Sequence, residues 1–217
     1  MKNNKYGKLE KRYLNQAIRS GNLFYANGKK TKKLVKKISK HFGVPYATTA
    51  SSGTAAIHCA VGALELKPGS EVITSPITDM GSVIGVLYQN LIPVFADVDP
   101  NTYNITASTI KEKITEKTKA VIVVHLAGNP AEMDEILNLA KEHDLRVIED
   151  CAQSYGAVYK GKKVGTMGDI GCYSLNAYKH ISAGDGGFCI TKDQSLYEKM
   201  HNFADKYYDR HGKGVRL

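Results

Sequence analysis

The run Arg146-Val147-Ile148-Glu149-Asp150 is apolar at its centre, ends in an acid, and leads directly into Cys151-Ala152-Gln153-Ser154. A short β-branched run bounded by polar residues reads as a buried strand, and its closing acid sits where open α/β sheets place ligands. Working outward, similar runs recur at 46–49, 71–75, 92–96, 120–125, 169–174 and 186–191. Helical patterns lie between them, near 53–66, 80–90, 106–114, 131–143 and 193–206, with Pro130 expected in the first turn of the fourth. Strands that alternate with helices call for parallel pairing and right-handed crossovers. The expected fold is therefore α/β: a three-layer α/β/α domain around a mostly parallel, seven-stranded sheet.

Two further segments converge on the strand end at Asp150. Ser51-Ser52-Gly53-Thr54-Ala55-Ala56 follows the first strand and opens a helix. N–H groups at a helix start lack intrahelical partners and the dipole there favours an anion, so Gly53 and the Ser52 and Thr54 hydroxyls suit a phosphate. A Ser or Thr before a helix is equally a plain cap. Ser174-Leu175-Asn176-Ala177-Tyr178-Lys179 leaves another strand and enters the Gly-rich stretch ending Gly184-Asp185-Gly186-Gly187. Ser174 is a second phosphate candidate. Taken alone, Asp150 also reads as a cap or ion-pair partner and Lys179 as a surface lysine. Together, an acid at a strand end and a lysine in a following loop meet the needs of pyridoxal phosphate. The lysine holds the aldehyde as a Schiff base, and the acid keeps the pyridine nitrogen protonated. Gln153, one turn beyond Asp150, is placed to reach the ring's phenolic oxygen.

The string of motifs resembles the DegT/StrS-type nucleotide-sugar aminotransferases, pyridoxal-phosphate enzymes of fold type I. Ser52 to Ala56 is similar to the family's SGTAA turn, and Val94 to Asp99 to its VFxDVD segment. Val124 to Pro130 is similar to VHLxGxP, Ile148 to Gln153 to IEDxAQ, and Ser174 to Gly187 to the lysine loop. The likeness runs in order over about residues 20 to 210. It implies Lys179 as the Schiff-base residue and Asp150 on the pyridine nitrogen. It further implies Gln153 beside the ring oxygen, with Gly53, Thr54 and Ser174 on the phosphate. The implied reaction moves an amino group from glutamate or glutamine to a keto-sugar, in a homodimer. Asp79 stands where the family often has an aromatic that stacks on the cofactor, leaving Met80 to cover the ring. A related branch of sugar dehydratases has His in place of the lysine; Lys179 is present here, with His180 beside it. The resemblance also implies a second, smaller domain beyond Gly212-Lys213-Gly214-Val215-Arg216-Leu217, so the 217 residues read as a helical segment, 1–44, and a cofactor-binding large domain, 45–217.

Composition narrows the remaining classes. No apolar run of 18 residues exists, so no membrane span is expected. The basic start Met1-Lys2-Asn3-Asn4-Lys5 leads into no apolar stretch, so no secretory leader is expected either. Cys59, Cys151, Cys172 and Cys189 are scattered, which suits free thiols in a reducing cytoplasm and no metal site. The net charge of +9 is local: residues 1–40 hold thirteen Lys or Arg against the single acid Glu10. Leu34, Val35, Ile38 and Phe42 recur at helical spacing among these lysines, giving an amphipathic helix with a cationic face. With no aromatics between the lysines, a solvated face is favoured over a nucleic-acid patch. A non-catalytic fragment whose basic helix binds a partner is the competing reading from another class.

Overall fold

The computed structural model describes residues 6–208; residues 1–5 and 209–217, on which the leader and chain-end expectations rest, lie outside them. In β4 (Thr118–Val124), Val121 and Val123 pack with one layer of helices while Ala120 and Ile122 pack with the other. This period-two division, both halves apolar, is what a strand covered on both faces requires. Val147 and Ile148 divide in the same way in β5 (Arg146–Asp150).

Around these two run β1 (Tyr46–Ala50), β2 (Glu71–Thr74), β3 (Ile92–Phe95), β8 (Ile170–Ser174) and β9 (Gly187–Thr191), in the order β1-β9-β8-β5-β4-β2-β3. Only β9 runs against its neighbours; the other adjacent pairs are parallel. The expected seven-stranded, mostly parallel sheet is therefore present. A small hairpin, β6 (Val158–Tyr159) with β7 (Lys162–Lys163), is an addition too short to show a period in sequence.

On one face lie α3 (Gly53–Ala63), α4 (Gly81–Tyr88) and α7 (Gln194–Ala204), joined to the sheet through Ala60, Val86, Met200 and Ile148. On the other, α5 (Ala107–Lys111) and α6 (Met133–Glu142) bury Ile110, Met133 and Ile136 against Val121 and Val147. Pro130 is not inside α6, which starts at Met133. The Ala131 N–H is committed to His125 Nδ1 at 3.1 Å, which ties the approach to the helix to the end of β4.

Two helices precede β1. α1 (Lys8–Arg19) buries no residue, whereas α2 (Lys29–Phe42) buries Ile38 and Phe42. Phe42 lies 4.8 Å from the ring of Tyr173 in β8 and 6.0 Å from that of Phe188 in β9. The apolar stripe of the basic helix thus completes the core on the second face, and its lysines point outward. Gly43, left-handed at φ 67°, ends α2 and turns the chain into β1. No helix among the described residues is long and apolar enough to cross a membrane.

Candidate active site

The parallel strands end together along one edge of the sheet, and β9 begins there: Gly187 pairs with both Ala50 of β1 and Ser174 of β8. At this edge opens a cavity of about 410 Å³, and Gly53, Thr54, Asp150, Gln153, Ser174 and Lys179 all line it. The six residues singled out in sequence are therefore brought to one place.

Ser52, extended, caps α3 by accepting the Ala55 N–H at 3.0 Å, so its side chain serves the helix first. Gly53 and Thr54 follow in the first turn, where N–H groups have no intrahelical acceptor. A Cβ at Gly53 would stand 2.7 Å from Ser174 Cβ, so only glycine lets the start of α3 rest on the end of β8. That close approach puts the two phosphate candidates side by side.

Asp150 is 4% exposed. Its Oδ1 accepts the Ala152 N–H at 3.0 Å and its Oδ2 accepts the Ser82 hydroxyl at 2.6 Å. Burial pushes the carboxyl pKa above its ordinary value; the Ser82 and Ala152 hydrogen bonds and the nearby Lys179 charge act against it. Gln153 Oε1 accepts the N–H of Ala127, a left-handed residue at φ 52°, at 2.9 Å. That bond settles which end of the amide is oxygen and leaves its NH₂ as the donor end. Lys179 sits in the loop between β8 and β9, its N–H on Asn176 O at 2.9 Å, while the loop returns through Gly184 at φ 90°. His180 is exposed and does not line the cavity.

Some residues were not read from sequence. Thr78, just before α4, and Ser82, in its first turn, also line the cavity, as does Asp79, which the resemblance had placed beside the cofactor. Asp79 Oδ1 accepts the Gly81 N–H at 2.8 Å. Met80, expected over the ring, is instead 61% exposed and outside the lining, because it takes the cap position of α4. The available signal was Thr78 and Ser82, polar at helical spacing before the apolar run of α4.

Glu149 was overlooked as well. It is fully buried, facing away from Asp150, and accepts His125 Nε2, Gly165 N, Met167 N and Gly168 N at 2.6–3.0 Å. His125 Nδ1 accepts from Ala131, so the ring is the tautomer with its hydrogen on Nε2. His125, Glu149 and Cys151 bring possible metal-binding atoms within 4.8 Å of one another. Both carboxylate oxygens and Nδ1 are already engaged and burial pushes the Cys151 thiol well up, so the group works as a hydrogen-bond clamp on residues 165–168. An acid next to the apolar pair Val147-Ile148 of a central strand was its sequence signal.

The sequence profile of the DegT/DnrJ/EryC1/StrS aminotransferase family matches residues 4–215. The chain belongs to this family. Among similar family members, GDP-perosamine synthase of Escherichia coli O157:H7 is 42% identical over 194 residues, 89% of this chain and 53% of that protein. The X-ray structure of an aminotransferase from Psychrobacter cryohalolentis superposes with a TM-score of 0.90 at 36% identity, covering 98% of this chain and 56% of that one. The GDP-4-keto-6-deoxy-D-mannose-3-dehydratase of E. coli, solved with bound hydrated PLP, has a TM-score of 0.84 at 31% identity, covering 90% and 51%. The chain spans about half the length of the curated relatives it matches. The DegT/StrS resemblance read from the motifs is thus correct, and so is the α/β architecture that came with it.

Proposed function

We propose that the chain binds pyridoxal 5'-phosphate in this cavity and transfers an amino group from glutamate or glutamine to the keto carbon of a nucleotide-linked sugar. The observation that carries the reading is the meeting of all six residues around one cavity. The donor set suits the cofactor: an amine, a buried acid, and a helix start pressed against a hydroxyl by a glycine whose Cβ has no room. When bound, the cofactor supplies an aldehyde carbon and an electron-withdrawing ring.

The protein's groups do the rest. Gly53 and Thr54 N–H, with the Thr54 and Ser174 hydroxyls, hold the phosphate at the positive end of α3. The Lys179 amine is the group that would hold the cofactor's aldehyde carbon and, once freed by the amino donor, would carry the proton to and from the donor's α-carbon. Asp150 keeps the ring nitrogen protonated. Gln153, its oxygen fixed by Ala127, donates its amide N–H to the ring's phenolic oxygen. The same lysine would deliver a proton to the sugar carbon that receives the amine. Lys179 in the lining, with His180 outside it, favours amine transfer over dehydration. Tyr178, in the lining yet 93% exposed, supports a homodimer in which a second copy covers the mouth. Four free, buried cysteines support a cytoplasmic setting.

The test is the visible spectrum of the chain with pyridoxal phosphate, beside Lys179→Ala, before and after glutamine or glutamate. The expected result is a band that requires Lys179 and fades with donor. A band persisting in Lys179→Ala overturns the assignment, and mass spectrometry of the keto-sugar product for a gained amine separates transfer from dehydration.

A further inference from the structure

Ser82 is 1% exposed on the first turn of α4, yet its hydroxyl does not serve its own helix. It reaches Asp150 Oδ2 at 2.6 Å, 68 residues away in sequence, and contacts Thr78 Oγ1 at 2.7 Å. An ionised carboxylate only accepts, so the Ser82 hydrogen goes to Asp150. Having given its one hydrogen, Ser82 accepts from Thr78. The two O–H dipoles therefore run in one direction, Thr78 to Ser82 to Asp150, and both point at the buried charge.

The packing that creates this chain is specific. A Cβ at Gly81 would come within 2.7 Å of Thr54 Oγ1, and one at Gly85 within 2.9 Å of His58 Cα. Glycine at both positions lets α4 lie directly on α3, which carries Ser82 to the strand end. Other groups face Asp150 from the surrounding elements: His125 after β4, Cys172 of β8, Lys179 of the following loop, and Cys151 next in sequence. Glu149 is turned to the opposite side of the strand and occupied by its four donors. Ser82 donates to Asp150 from its side chain and Ala152 from its backbone. A carboxylate offers about four acceptor positions. Ser82 and Ala152 take one position on each oxygen.

We infer that Ser82, backed by Thr78, is a positioning residue that sets where the proton shared by Asp150 and the cofactor's ring nitrogen resides. The inference rests on the pyridoxal-phosphate reading above. Loss of the hydroxyl leaves Asp150 a stronger base, so the proton moves from the ring nitrogen toward the carboxylate. The ratio of the two proton positions changes on the order of tenfold, the size expected for one hydrogen bond to a charged group.

The experiment is nitrogen-15 NMR of ring-labelled pyridoxal phosphate bound to the wild-type chain, Ser82→Ala, Ser82→Thr and Thr78→Val. A carbon-13 titration of the Asp150 carboxyl in cofactor-free protein accompanies it. In the wild type the ring resonance is expected at a protonated position. Ser82→Ala moves it toward neutral pyridine and raises the Asp150 titration midpoint, and Ser82→Thr restores both. Thr78→Val moves them in the same direction by less, and carries the test if Ser82→Ala does not fold. Resonance and midpoint unchanged in the substituted proteins overturn the inference. A wild-type chain that does not take up the cofactor overturns the underlying reading instead.

Discussion

Burying Asp150 without the cofactor works against the fold at neutral pH. Its pKa is raised above the ordinary 3.8, chiefly by desolvation. A raised carboxyl pKa contributes stability that is full below 3.8 and is lost as pH rises through the folded value. Asp150→Asn removes the charge but keeps the contacts, since its oxygen accepts from Ala152 and its NH₂ donates to Ser82, which can then donate to Thr78. The cofactor-free variant is expected to melt higher than wild type at pH 7, with the gap closing as pH falls toward 3.8, as calorimetry at several pH values would show. The same change should slow turnover severely, because a neutral amide does not hold the ring nitrogen protonated.

Glu149 has the opposite character. Its four N–H donors need four acceptor positions, and an amide turned either way strands two of them. His125 gives no relief, because moving its hydrogen to Nδ1 would confront the Ala131 N–H. Glu149→Gln is expected to cost about 3 kcal/mol or more, read as a lower urea midpoint at unchanged slope.

Among the elements, α3 does most to place the site. Its first residue touches β8, its body underlies α4, and Gly62 gives room to the Phe203 ring of α7. In Gly53→Ala the new methyl meets Ser174 Cβ, an atom that no rotamer change can move, so α3 must shift off β8. The expected loss of stability is about 1–3 kcal/mol, together with weaker binding of inorganic phosphate by calorimetric titration. Sequence patterns located every strand of this sheet because each is a short run with β-branched or aromatic residues at its centre, bounded by turn or helix signals. The ends of helices were less legible. α6 begins three residues after Pro130 because a buried histidine holds Ala131, a contact from the end of β4 that no local pattern records.

For the molecule as a whole, the N-terminal lysines and the core meet in α2. Its seven lysines lie outside, while Ile38 and Phe42 close the second face of the sheet. Phe42→Ala is expected to cost about 3–5 kcal/mol, measured as a lower Tm and urea midpoint, as for other buried phenylalanines. A dispensable appendage would show almost none of that loss.

Sequence by itself determined the sheet, the family, and six of the residues that line the cavity, because these follow from short-range patterns. Short β-branched runs mark strands, a Ser-Gly-Thr turn starts a helix, and an acid at a strand end is followed by a lysine in a loop. Tertiary structure alone decided what stands behind those residues: Ser82 and Thr78 on Asp150, Ala127 on Gln153, and the donors gathered on Glu149. A hydrogen bond between residues 68 apart depends on how closely two helices pack, and that is set by the absence of a Cβ at Gly81 and Gly85.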